Sequence, residues 1–135
     1  MKRYLLDTSA LLTLRDDEDG ADTVANLLYQ AQEREVICLA CFMTLMEIFY
    51  RVWKDENELA GRIAYEKCQS LPVQWVHESK DLLEVSARLK AQHSLSLADA
   101  WIAASAIQEN AILVHKDPEF IALECSQLQL PYKQL

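Results

Sequence analysis

Lys2-Arg3-Tyr4-Leu5-Leu6-Asp7-Thr8-Ser9-Ala10-Leu11-Leu12 decides how the rest of the chain is read. A short apolar run reaches an acid, and a second apolar run begins directly after it. The segment Lys2 to Leu6 predicts a buried strand, and Thr8 to Leu14 predicts a helical turn or two. Asp7 then falls at the carboxyl end of the strand. The same order recurs down the chain. Val36 to Ala40 is a second strand-like run, followed by helices from about Phe42 to Lys54 and from Glu56 to Gln69. Pro72 to Val76 is a third. Helical spacing resumes at Leu82, Val85, Ser86 and Leu89. A helix from about Leu97 to Gln108 leads into a fourth run at Ala111 to Val114. Between the first two runs, Asp16 to Gly20 reads as a loop, with Asp22 as cap of a helix from Thr23 to about Gln32. Pro118 to Cys125 predicts a last short helix, and Leu128 to Leu130 a possible fifth strand.

Short continuous apolar strands alternating with helices point to an α/β protein with a mostly parallel sheet covered on both faces. With 135 residues, a single domain over 1–135 is expected. Hydrophobic residues make up 51% of the chain, enough for a sizeable core. Only 2 glycines and 3 prolines interrupt it, which favours long helices and short connections. The N-terminus meets a charge after two leucines, so it has no signal-peptide core, and no apolar run approaches a membrane span. A soluble, cytoplasmic protein is expected. Of the 4 cysteines, Cys38 and Cys41 have the spacing of a redox or zinc motif. No second close pair completes a zinc site, and their apolar surroundings favour buried thiols without chemistry.

The formal net charge is -8, from 21 acidic and 13 basic side chains. That excludes a protein holding nucleic acid by bulk charge, but not an enzyme meeting phosphodiesters through bound cations, which reverse the local field. Four acids stand where apolar residues are expected. Asp7 and Asp117 sit just past strand ends, where open parallel sheets bind ligands. Glu47 lies in Thr44-Leu45-Met46-Glu47-Ile48-Phe49-Tyr50, on a helix apolar almost all round. Asp99, in Leu97-Ala98-Asp99-Ala100-Trp101-Ile102, is the only charge between Lys90 and Glu109. Each has an ordinary explanation: Asp7 and Asp117 as helix caps, Asp99 in a capping box with Ser96, Glu47 paired to Arg51. If all four converge, however, their repulsion needs a cation, and hard divalent ions with oxygen ligands supply it.

The stretches around these acids resemble a PIN domain of the small bacterial toxin type found in toxin–antitoxin pairs (VapC-like). The resemblance covers nearly the whole chain and rests on residues 5–12, 44–48, 97–106 and 116–120 taken in order. It implies a three-layer α/β/α sandwich with a mostly parallel central sheet of four to five short strands. It also implies hydrolysis of RNA phosphodiesters with Mg²⁺ or Mn²⁺, Asp7, Glu47, Asp99 and Asp117 being the catalytic, metal-binding acids. Ser9 matches a hydroxyl near the first acid. Homodimerisation and a cognate antitoxin protein are implied partners. One departure is His115, where many relatives carry Thr or Ser; it offers a hydrogen bond to phosphate or water, marks an altered activity, or is a solvent-facing loop residue. Glu119 is a possible extra metal contact, or an ordinary first-turn acid. Lys116, Arg15 and Arg51 are possible RNA contacts. A haloacid-dehalogenase-like phosphatase fits poorly, because Ser9 stands where a second Asp is needed. A receiver domain lacks its Asp after the third strand. The non-enzymatic alternative is a PIN-like binding or scaffold module with little nuclease activity.

Overall fold

A computed structural model of the chain describes residues 1–131. The last four residues of the expected 1–135 domain lie outside the described residues. The elements run β1 (Arg3–Leu6), α1 (Thr8–Arg15), α2 (Ala21–Gln32), β2 (Ile37–Cys41), α3 (Phe42–Asp55), α4 (Glu58–Gln69) and β3 (Gln74–Val76). They continue with α5 (Lys80–Gln92), α6 (Leu97–Gln108), β4 (Ile112–His115), a 3₁₀ turn (Pro118–Phe120) and β5 (Gln127–Gln129). The five strands form one sheet in the order β3-β2-β1-β4-β5. Every pairing is parallel, so the expected mostly parallel sheet is parallel throughout the described residues.

Alternation along each strand separates the layers. Leu5, Leu39 and Leu113 join Leu82 and Leu89 of α5 and Ile102, Ala103 and Ala106 of α6 in one apolar cluster. Their neighbours Leu6, Cys38 and Val114 join Leu11, Val24, Leu27, Ile48, Val52 and Cys68 in a second, supplied by α1 to α4. The period of two along a strand sends successive side chains to opposite faces. Both faces are therefore covered, giving the α/β/α sandwich. Cys38, Cys41 and Cys68 are buried free thiols. Among the described residues, no helix is long and apolar enough to cross a membrane.

Two local expectations are corrected. Asp22 does not cap α2; the cap is Gly20, with φ of 102°, and Asp22 sits in the first helical turn. The chain reverses there in a left-handed conformation that glycine takes without strain, and a Cβ at Gly20 would lie 3.3 Å from the Cβ of Leu130. The segment Pro118–Cys125 is not a helix beyond Phe120. The carbonyls of Phe120 and Leu123 accept from Gln127 Nε2, at 2.7 and 3.2 Å, as well as from the turn amides of Leu123 and Cys125, at 3.0 and 3.1 Å. That lets the chain return and lay β5 beside β4.

Strand order opens a crevice at one end of the sheet. From β1 the chain steps outward through β2 to β3, then crosses back to place β4 on the other side of β1. The crevice lies beyond the carboxyl ends of β1 and β4, at the point where strand order reverses.

The α3–α4 hairpin depends on Gly61, where an added Cβ would come within 2.7 Å of the Phe49 carbonyl and 3.0 Å of Trp53 Cβ. Alanine is the better helix former by about 1 kcal/mol. Forcing two backbones apart costs about 1–3 kcal/mol. Gly61→Ala is therefore expected to lower the urea midpoint without changing the slope, and an unchanged or raised midpoint would contradict the packing.

Candidate metal centre

Asp7 leaves β1 and caps α1, its Oδ1 accepting from Ala10 N at 2.8 Å. The Ser9 hydroxyl lies 2.7 and 2.9 Å from its two oxygens and donates to the carboxylate. Ser9 Oγ also accepts from Lys116 N at 3.0 Å, which ties the end of β1 to the residue following β4. The ordinary explanation and the functional one thus coincide at Asp7: a cap whose carboxylate still faces the crevice. Asp117 likewise caps the 3₁₀ turn, Oδ1 accepting from Glu119 N at 2.9 Å. Ser96 caps α6 by accepting from Asp99 N at 3.1 Å, which sets Asp99 in the first turn.

Glu47 comes from the middle of α3. Its expected partner Arg51 makes no ion pair with it within 4.0 Å. Instead Thr8 Oγ1 donates to Glu47 Oε1 at 2.7 Å, and lies 3.1 Å from the buried Thr44 Oγ1. Thr8 is a support that the sequence did not single out. The stripe that Thr44 makes with Glu47 on α3 was its only trace.

Asp7, Glu47, Asp99 and Asp117 all line one open cavity of about 270 Å³, together with Thr8, Ser9, Arg51, Ser96 and Glu119. Asp99, Asp117 and Glu119 each offer an oxygen within 4.8 Å of the others. Glu119 is a first-turn acid of the 3₁₀ turn and also stands with the cluster. Among the described residues none of the five acids has an ion-pair partner.

The electrostatic consequence is plain. Burial pushes the Asp7 carboxyl from 3.8 up to about 7, against the hydrogen bonds from Ser9 and Ala10, and the charges of Asp117 and Glu47 add to the rise. Asp99 is raised as well, first by burial, then by a hydrogen bond shared with Glu119 and by the charges of Asp117, Glu47 and Glu119. Crowded carboxyls hold protons when no cation neutralises them. The donor set is all oxygen, with no thiol or imidazole among the cavity residues, which fits a hard divalent cation such as Mg²⁺ or Mn²⁺.

Two readings of His115 are corrected, the solvent-facing loop residue and the hydrogen bond to phosphate or water. It is fully buried at the end of β4, with Nε2 2.8 Å from Gln127 Oε1 and Nδ1 accepting from Asp117 N at 3.1 Å. It neither faces solvent nor offers a nitrogen to phosphate. Of the three basic candidates, Arg15 pairs with Asp16 and Glu56, at 2.9 and 2.8 Å. Lys116 Nζ lies 3.3 Å from Thr13 Oγ1 and 3.7 Å from Glu18, with only 9% of its side chain exposed. Arg51 alone of the three is exposed, free of ion pairs and on the wall of the acidic cavity.

Residues 4–124 match the family model described as PIN domain. The chain belongs to the PIN-domain family. A comparison with curated proteins finds no match. Among solved structures, this PIN domain is similar to a chain of VapBC2 from Rickettsia felis bound to a promoter DNA fragment, with TM-score 0.77 and 19% identity over 96% of this chain and 99% of that one. VapC20 of Mycobacterium tuberculosis, described as a sarcin–ricin loop cleaving toxin, aligns at TM-score 0.73 and 19% identity over 95% and 99%. A toxin–antitoxin complex from Klebsiella pneumoniae aligns at 0.62 and 24% over 90% and 92%. At these identities the likeness is one of fold.

The raised Asp7 carboxyl fixes the sign of a pH effect in metal-free protein. Between pH 3.8 and about 7 the folded PIN domain keeps a proton that the unfolded chain has lost. Stability from this group is full below that window and falls as pH rises through it. In chelator, the melting temperature is expected to be higher at pH 5 than at pH 7.5. Asp7→Asn keeps the cap and needs no proton, so it should shrink the difference and raise the pH 7.5 value by several degrees. A wild-type melting temperature that rises from pH 5 to pH 7.5 would contradict the crowding.

Proposed function

We propose that the chain is a single-domain, metal-dependent endoribonuclease that hydrolyses RNA phosphodiester bonds, and the toxin component of a toxin–antitoxin pair. The observation that carries this reading is the convergence of Asp7, Glu47, Asp99 and Asp117, with Glu119 beside them, on one cavity where, among the described residues, none of them has an ion-pair partner. Membership of the PIN family supports nuclease chemistry. The similarity to VapBC and toxin–antitoxin structures supports a toxin role with a cognate antitoxin protein as partner.

In this reading Asp7, Glu47, Asp99 and Asp117 hold one or two Mg²⁺ or Mn²⁺ ions, with Glu119 as an additional contact. When bound, such an ion would supply Lewis acidity toward the phosphodiester and lower the pKa of water. The chain's own residues do the positioning. Ser9 and Ala10 fix the Asp7 carboxylate, and Thr8 fixes that of Glu47. The acids line a cavity open at the protein surface, where an RNA strand can reach them. Arg51, on the cavity wall, meets the phosphate that the acids would otherwise repel. Arg15 and Lys116 act instead through their ion pairs, holding α1 and the segment after β4. No protein nucleophile is required.

Purified protein given total RNA should cleave it in Mg²⁺ or Mn²⁺ and stop in chelator, with end mapping giving the cut sites. Asp7→Asn should lower the rate by about a thousand-fold, a loss of several kcal/mol of transition-state stabilisation, while far-UV circular dichroism stays the same. Full activity of Asp7→Asn, or equal cleavage in chelator, would refute the assignment. Arg51→Ala should raise KM by about ten-fold with a smaller effect on kcat, as expected for a group that binds substrate and transition state alike. An unchanged KM would remove Arg51 from the substrate path.

A further inference from the structure

His115 has two ring nitrogens and no contact with solvent. Both nitrogens are engaged. Asp117 N donates to Nδ1 at 3.1 Å, so Nδ1 is an acceptor and carries no proton. The proton of the neutral ring is then on Nε2, which donates to Gln127 Oε1 at 2.8 Å. That in turn orients the Gln127 amide, whose Nε2 donates to the Phe120 and Leu123 carbonyls. The Phe120 ring stands edge-on to the imidazole with centroids 5.1 Å apart. One direction of donation runs through the whole chain of bonds, from the Asp117 amide through the ring and Gln127 to the turn that carries Glu119. No rotor or tautomer is left open.

We propose that His115 and Gln127 form a buried clasp that positions Asp117 and Glu119 for the divalent cation, His115 being a positioning residue that acts through the Asp117 backbone. This rests on the metal-dependent reading of the acidic cavity. The clasp joins three pieces in one register: the end of β4, the start of β5 and the 3₁₀ turn between them. Backbone bonds fasten the strands on either side, with Leu130 N donating to His115 O at 2.7 Å. The acids themselves stand on the loop between, where Asp117 is held by its own cap and by the imidazole. An acceptor placed two residues before an amide is the geometry of an Asx or ST turn, in which Asn, Asp, Ser or Thr bonds the backbone two residues on. His115 makes that bond with Nδ1 and adds a second, through Nε2, that a hydroxyl is too short to make. This accounts in physical terms for an imidazole where the resemblance leads one to expect Thr or Ser. Groups that orient metal ligands typically change metal affinity by about 10–100-fold when removed.

Two substitutions separate the two ring nitrogens. His115→Asn keeps an acceptor at the δ position for the Asp117 amide and loses the reach to Gln127. His115→Gln keeps a donor at the ε position for Gln127 and leaves the Asp117 amide without an acceptor. Mn²⁺ affinity is read by calorimetry on folded protein well below its melting temperature. His115→Asn, which keeps the Asp117 bond and severs the link to Gln127, is expected to weaken binding by up to about ten-fold, and His115→Gln, which leaves the Asp117 amide without an acceptor, by about 10–100-fold. Long-range ¹⁵N–¹H spectra of wild type should show an unprotonated Nδ1 and a protonated Nε2. Equal affinities in wild type and both variants, or losses that track melting temperature alone, would overturn the positioning role while leaving the metal centre intact. So would the opposite tautomer. Wild-type protein that binds no Mn²⁺ would overturn the metal centre and the role with it, an outcome distinct from the other two.

Discussion

Asp7 is buried at the carboxyl end of the central strand with other carboxyls nearby and, among the described residues, no ion-pair partner. Burying a charge without a partner is among the costliest arrangements a protein can make. The neighbouring elements do not relieve it: α3 brings Glu47, α6 brings Asp99, and the turn after β4 brings Asp117 and Glu119. Hydrogen bonds from Ser9, Ala10 and Thr8 orient these groups but supply no opposing charge. An arrangement so unfavourable by itself persists because the frame around it is rigid, and that rigidity comes from the sheet.

The sheet is well suited to the task. Its strands are covered on both faces by separate apolar clusters, so the ends of β1 and β4 cannot shift without disturbing both layers. Close-packed protein interiors transmit displacement instead of absorbing it. The alanines of α6, four of them at 0–1% exposure, let that helix lie close on the strands and so hold Asp99 at the rim. Polar links then fasten one strand end to the next, Ser9 reaching Lys116 N and His115 reaching Gln127. The acids are thus mounted on elements whose positions are set by burial elsewhere.

Much of this was legible in the chain. The apolar runs at β1, β2 and β4 lie within a residue or two of their observed bounds, because a strand buried on both faces must be apolar without interruption. Asp7, Glu47 and Asp99 stood out because each interrupts such a pattern. What stayed hidden was set by partners distant in sequence. Gly20 caps α2 in a left-handed conformation, with Leu130 from the far end of the chain packed close against it. The 118–125 segment has helical composition, yet it turns after Phe120, and Gln127 bonds the carbonyls of Phe120 and Leu123. His115 reads as a loop residue until β5 is placed beside β4 and Gln127 arrives at its Nε2. Glu119 reads as a first-turn acid until α6 sets Asp99 against it. Local pattern carries the frame; contacts across it carry the details of the site.

The claim on which the account stands is that these carboxylates share a divalent cation. Anomalous diffraction from a crystal soaked in Mn²⁺ tests it most directly. The account predicts a peak in the crevice beyond β1 and β4, within coordination distance of Asp7 and at least one of Asp99 and Asp117, at about 2.0–2.2 Å as for other small divalent ions. A crystal with full Mn²⁺ access and no peak there, or with each carboxylate instead turned onto a basic side chain, would contradict it.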